Sequence, residues 1–127
     1  MEGLTTLESE FSEMVSLLAK DGDDIVCSLD GDDAHMLHMA LGLAGEVGEL
    51  IDGLKKGLIY GAPIDLDNVI EEMGDIEFYM EGLRLSMDIN RDECLAANIN
   101  KLATGENARY SEGYSDDAAQ YRADKVA

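Results

Sequence analysis

Apolar residues recur along this chain at three- and four-residue steps, the period of an α-helix that buries one face. Leu4, Leu7, Phe11, Met14, Val15 and Leu18 set the first such stretch, a helix over residues 3–20. Residues 21–33 are rich in aspartate and glycine and predict an acidic loop. A second helix is expected over about 33–56, with Asp32 or Asp33 as N-cap and Gly57 beyond two lysines as C-terminal cap. Its stripe is Met36, Met39, Ala40, Leu43, Val47, Leu50, Ile51 and Leu54. After a connection holding Gly61 and Pro63, Asp67 is the expected N-cap of a third helix that runs to about 87. Val69, Met73, Ile76, Met80, Leu83 and Met87 form its stripe, and Ile70, Phe78 and Leu85 a second apolar face. Two apolar faces ask for two partners, and a homo-oligomer supplies the second. A fourth helix follows over about 90–103, with Asn90 as N-cap and Glu93 at the capping-box position.

The predicted fold is therefore all-α, a helical bundle with a four-helix core. The length of 127 residues fits one domain, with its core over about 33–110 and a polar tail over 116–127. Composition agrees: one proline, no tryptophan, and an abundance of helix formers.

Charge narrows the function. With 28 acidic and 9 basic residues the formal net charge is −19, which opposes direct binding to nucleic acid or to an anionic membrane surface. Any phosphate-bearing ligand would depend on metal ions or on a few well-placed cations. No apolar run reaches membrane-spanning length, no basic n-region opens the chain, and Cys27 and Cys94 form no ligand pattern, so a reduced, cytoplasmic protein is expected.

The chemistry concentrates in two acidic pairs. Glu46 and Glu49 are three residues apart on the second predicted helix, and Glu72 and Asp75 repeat that spacing on the third. On a helix such pairs project from one face, with Cβ atoms roughly 5–6 Å apart. His38, Gly42, Glu46, Glu49 and Gly53 share one flank of the second helix's stripe; Glu72, Asp75, Tyr79, Gly82 and Ser86 line the matching flank of the third. Side by side, the two helices would bring four carboxylates together, an arrangement that repels itself unless divalent cations lie between. A magnesium-type site between helices two and three is the central expectation. Two other readings of the acidity are a decoy that imitates DNA phosphates and a helical interaction domain with acidic pairs on its surface. A decoy needs its carboxylates spread over the exposed surface, not gathered beside two apolar stripes.

The segments Ala44-Gly45-Glu46-Val47-Gly48-Glu49-Leu50 and Glu71-Glu72-Met73-Gly74-Asp75-Ile76 carry a resemblance to a known family. With Tyr79 and Ala97-Asn98-Ile99-Asn100-Lys101-Leu102, this order of motifs resembles the MazG-like all-α nucleoside triphosphate pyrophosphohydrolases over roughly residues 35–110. Arg109-Tyr110 and Tyr114-Ser115-Asp116 are similar to the short single-domain members found in phages. The chain departs from the family at Gly45, where many members carry a further glutamate that makes an outer metal contact.

The resemblance implies hydrolysis of a (d)NTP between its α- and β-phosphates, giving a nucleoside monophosphate and pyrophosphate. It also implies two or three Mg²⁺ or Mn²⁺ held by Glu46, Glu49, Glu72 and Asp75. Glu49 is the expected general base, as a carboxylate not wholly committed to metal. Lys101 and Arg109 would neutralise the outer phosphates, with Lys55 and Arg84 as weaker choices. His38, Tyr79 and Asn98 would meet base, sugar or phosphate. A homodimer or homotetramer and a purine preference such as dGTP complete what the resemblance implies, with control of the nucleotide pool, removal of damaged nucleotides and removal of an alarmone as the open roles.

Overall fold

The computed structural model describes residues 6–103; Arg109, Tyr110 and the 116–127 tail lie outside the described residues. The fold is all-α, with five helices among the described residues: α1 (Leu7–Leu18), α2 (Gly22–Ser28), α3 (Gly31–Leu58), α4 (Leu66–Ser86) and α5 (Arg91–Ala103). None of them is long and apolar enough to cross a membrane.

The chain divides into two compact units, Met1–Ala34 and His35–Ala127. In the first, Thr6 caps α1 by accepting a hydrogen bond from the Ser9 amide at 3.1 Å. The stretch expected to be an acidic loop contains α2 instead. The reason is capping: Asp21 Oδ1 accepts from the amides of Asp23 and Asp24 at 2.9 and 3.2 Å, satisfying two of the donors that a helix start leaves open. No residue of α1 or α2 is buried.

The boundary between the units falls in the first turn of α3, and the rest of α3 with α4 and α5 belongs to the second unit. Reciprocal bonds between Asp30 and Asp33 start α3: Asp33 N donates to Asp30 Oδ1 at 2.8 Å, and Asp30 N to Asp33 Oδ2 at 3.2 Å. The N-cap is thus Asp30, not Asp32 or Asp33. That of α4 is Asp65, not Asp67; its side chain accepts from the Asn68 amide. The helix also runs through Gly57, which meets Ile64 closely and does not act as a cap. Asn90 and Glu93 do form the expected capping pair at the start of α5. Between α4 and α5 the chain turns at Asp88, which takes a left-handed φ of 54°.

α3 and α4 form an antiparallel hairpin in a constant register. Met39 meets Gly82, Gly42 meets Tyr79 and Gly53 meets Asn68, so each advance along α3 is matched by an equal retreat along α4, and Gly57 meets Ile64 of the connection in the same register. Of the facing positions, Gly42, Gly53, Tyr79 and Gly82 are ones that the sequence placed on the glycine-and-carboxylate flanks, and Met39 joins them from the apolar stripe. Apart from Met39, the apolar stripes lie to the side of this seam. Among the described residues Met39 is the one buried apolar side chain; Met36, Leu43, Leu50, Leu54, Val69, Ile76, Met80 and Leu83 are half-buried. The second apolar face of α4 stands open, with Ile70, Phe78 and Leu85 at 68%, 66% and 73% exposure.

Arg84, a weaker choice for the outer phosphates because of its place at the end of a helix, is 7% exposed. It is held by Glu81 at 2.8 Å and Glu77 at 3.7 Å, and Arg91 of α5 reaches Glu77 at 3.8 Å. These exposed acids hold the guanidinium charged and raise its pKa, Glu81 foremost. The pairing ties the last turns of α4 to the start of α5.

Candidate metal centre

Halfway along the hairpin seam, where the register sets Glu46 against Asp75 and Glu49 against Glu72, the carboxylates meet. Ligand oxygens of Glu46, Glu72 and Asp75 lie within 4.8 Å of one another. Glu72 is buried, Glu46 half-buried and Asp75 exposed, so the cluster opens to solvent on the Asp75 side. The glycines beside it explain how two helix backbones approach this closely: at Gly42 and Gly82 a side chain would collide with Tyr79 and Met39 respectively.

Glu72 is the most constrained member. Its residue is 8% exposed, its Oε1 accepts from Asn68 Nδ2 at 3.1 Å, and its buried Oε2 has no hydrogen-bond partner. A buried carboxylate oxygen without a donor is costly. A divalent cation shared with Glu46 and Asp75 removes that cost, since hard cations take carboxylate oxygens from several residues at once. The residues present therefore fit such an ion by donor type, spacing and an unmet coordination need.

Glu46 records the crowding. Its pKa is raised, first by burial, then by the Glu72 carboxyl close beside it, and then by the negative charges of Glu49, Asp75 and Glu72. A carboxyl whose pKa is higher in the folded state contributes stability at low pH, which is lost as pH rises through the folded-state value. In a chelator, the thermal midpoint of the native protein should thus fall further than that of Glu46→Gln as pH is raised through the range just above that of an ordinary glutamate. Subtracting the two curves cancels the repulsion common to this acidic chain. Identical pH profiles for the two proteins would remove the electrostatic coupling.

Glu49 stands just outside the triad. It is exposed and, with Glu72, lines an open groove of about 480 Å³ that also touches Gly45, Gly48, Asp52, Gly53, Lys56 and Asn68. Lys56 pairs with Asp52 at 2.9 Å, which raises the lysine pKa and lowers that of the aspartate. At the other end of the seam, the rings of His38 and Tyr79 meet edge to face with centroids 6.4 Å apart, and Phe78 packs on Tyr79 in the same manner at 5.1 Å.

The structure thus brings together Glu46, Glu72 and Asp75, sets Glu49 beside them, and places His38 and Tyr79 along the same seam. Asn98 and Lys101 are exposed on α5 and make no hydrogen bond or ion pair with the cluster. Lys55 lies over the Tyr60 ring, 5.9 Å from its centroid. Arg109 falls outside the described residues. Two residues of the site were not singled out by sequence reasoning: Asn68, whose signal was a side-chain amide one helical turn before Glu72, and Lys56, masked by its position in a last turn where lysine commonly complements the helix dipole. No protein-family model, curated protein or solved structure matches the chain.

Proposed function

We propose that this chain is a metal-dependent nucleoside triphosphate pyrophosphohydrolase of the MazG-like kind, releasing pyrophosphate and a (d)NMP. The observation that carries this reading is the meeting of Glu46, Glu72 and Asp75, with an unpartnered buried oxygen on Glu72, between the helices that bear the two acidic motifs. Glu46, Glu72 and Asp75 would hold Mg²⁺ or Mn²⁺. Ions bound there would offset the charge of a triphosphate and acidify water beside the α-phosphate.

The chain's own residues supply the rest. Glu49, next to the triad but outside it, takes the proton from the attacking water. Lys56 is the basic side chain on the groove, and it supports the outer phosphates by exchanging its Asp52 partner for them. His38 and Tyr79, beyond the opposite end of the cluster, form the surface for the base. This ordering along the seam runs the substrate with its nucleoside toward Tyr79 and its pyrophosphate toward Lys56. Asn98, Lys101 and Arg109 enter this reading only through the resemblance. So do the purine preference and the role in the nucleotide pool; the cytoplasm, with its Mg²⁺ and nucleotides, is the fitting compartment.

The working form is a homodimer or homotetramer. Met39 is the one apolar side chain buried among the described residues, so within them a lone chain buries little of the apolar surface that stabilises a domain of this size. A second copy laid on the open apolar faces of α3 and α4 would bury more.

Pyrophosphate release from each of the eight common NTPs and dNTPs, with Mg²⁺, with Mn²⁺ and with chelator, tests the activity. The expected result is a metal-dependent signal with the monophosphate as co-product. Its sedimenting mass, taken on the same sample, should be a twofold or fourfold multiple of 13.8 kDa. A folded protein silent on all eight with either metal would reject the proposal for these substrates.

A further inference from the structure

The Asn68 side chain occupies a prepared place. Its backbone amide is already satisfied by Asp65 Oδ1 at 3.1 Å, so the side chain is not needed for the start of α4. It reaches forward one turn along α4, and its Nδ2 donates to Glu72 Oε1 at 3.1 Å. A carboxylate can only accept, so the amide nitrogen must face Glu72, which leaves Oδ1 toward α3. There Gly53 provides the notch: a Cβ at that position would stand 2.9 Å from Asn68 Oδ1. Three residues on two helices are thus shaped around one hydrogen bond.

We infer that Asn68 is a positioning residue of the metal centre, holding one oxygen of Glu72 so that the other, Oε2, stays free and aimed at the cation. This rests on the metal reading above. A neutral amide suits the task better than a cation would. A lysine at 68 would neutralise the carboxylate and compete with the ion, whereas an amide fixes the rotamer and leaves the charge intact. The orphaned Oε2 in a residue that is 8% exposed is the geometric counterpart: one oxygen is bound by the protein and one is kept from it. Hydrogen bonds of this outer kind orient metal ligands, and removing one commonly costs 10–100-fold in affinity.

Calorimetric titration of Mn²⁺ into the full chain tests the role. Asn68→Ala should weaken Mn²⁺ binding by about 10–100-fold while the helical circular dichroism is retained. Gly53→Ala, which improves helix propensity but drives a methyl group toward the amide, should weaken binding in the same direction. In the Asn68→Ala background the Gly53 change should have no further effect on Mn²⁺ affinity, because the group it disturbs is gone. A merely structural hydrogen bond would alter the melting temperature and leave the Mn²⁺ dissociation constant of the folded protein in place. Native protein that binds Mn²⁺, with Asn68→Ala binding it equally, overturns the positioning role and leaves the metal reading standing. Native protein that takes up no Mn²⁺ overturns both.

Discussion

Glu72→Gln should abolish the metal-dependent release of pyrophosphate and, at the same time, make the metal-free protein harder to melt. The two effects have one cause. Glu72 is the buried member of the triad, and its free Oε2 is the oxygen left without a protein donor. A glutamine keeps the shape and still accepts the Asn68 hydrogen bond through its carbonyl. Its NH₂ can donate to the carboxylates of Glu46 or Asp75, which turns a repulsive trio into a bonded one. What it cannot do is carry the charge that a divalent ion requires. Losing a ligand that supports several kcal/mol of transition-state stabilisation corresponds to at least about 10³-fold in rate. The check is a pair of melting curves, in chelator and in excess Mn²⁺, beside the pyrophosphate assay. Native protein should gain stability with Mn²⁺ and the variant should not, starting from a higher midpoint in chelator. A variant that melts lower in both conditions would mean that Glu72 holds the fold together without any ion, and the metal reading would lose its main support.

The second large effect is expected at Gly42, where stability should move against helix propensity. Alanine is favoured over glycine in a helix by about 1 kcal/mol. Here its methyl group would lie inside the Tyr79 ring. That ring is half-buried and meets Phe78 and His38 edge to face, so moving it aside gives up those contacts. Overpacking of this kind commonly costs 1–3 kcal/mol, and Gly42→Ala should lower the unfolding free energy by about that much. In a Tyr79→Ala background the obstruction is absent, and the same substitution should become neutral or stabilising by up to about 1 kcal/mol. Denaturant unfolding of the four proteins at one fixed concentration measures both values. If Gly42→Ala stabilises with Tyr79 in place, the close approach of the two helices at this point is wrong.

How far the sequence foretold this arrangement depends on the kind of signal. The hairpin helices and the acidic seam were legible because residue type, spacing and periodicity agree there. Glycines and carboxylates at 42, 46, 49 and 53, and at 72, 75 and 82 with Tyr79, fall on matching flanks, and the structure sets those flanks face to face. α2 was hidden because its aspartates suggested a loop, whereas Asp21 spends its carboxylate capping the helix that follows. The apolar stripes suggested a core within one chain. In the structure the closest α3–α4 contacts are made by glycine, asparagine, Tyr79 and a single stripe residue, Met39, and Ile51 and Met73 of those stripes are left exposed. Periodicity says which residues share a face, but not which molecule covers it. Glu49 was expected as a fourth ligand and is placed beside the triad; a spacing of three fixes a shared face but not the depth of each side chain. The roles given to Asn98 and Lys101 came from a motif on another helix, and nothing in a one-dimensional spacing could say how α5 lies against the seam.

The alternation of bulk and notch along the hairpin acts as a ruler. Met39 seats at Gly82 and Tyr79 at Gly42, each side chain filling a gap on the opposite helix. Sliding one helix by a turn, about 5.4 Å, would drive those side chains against positions that have no gap. Alignment of the carboxylates is thereby decided several residues away from them, by steric keys that lie outside the acidic triad. Extra residues in the connection between Leu58 and Leu66 would leave this ruler intact. One residue inserted between Gly42 and Glu46 would rotate everything after it by about 100° and scatter the acids while barely changing the composition. Length variation can therefore accumulate in that connection and is barred from the paired stretches of α3 and α4, where the keys and the acids must stay in step.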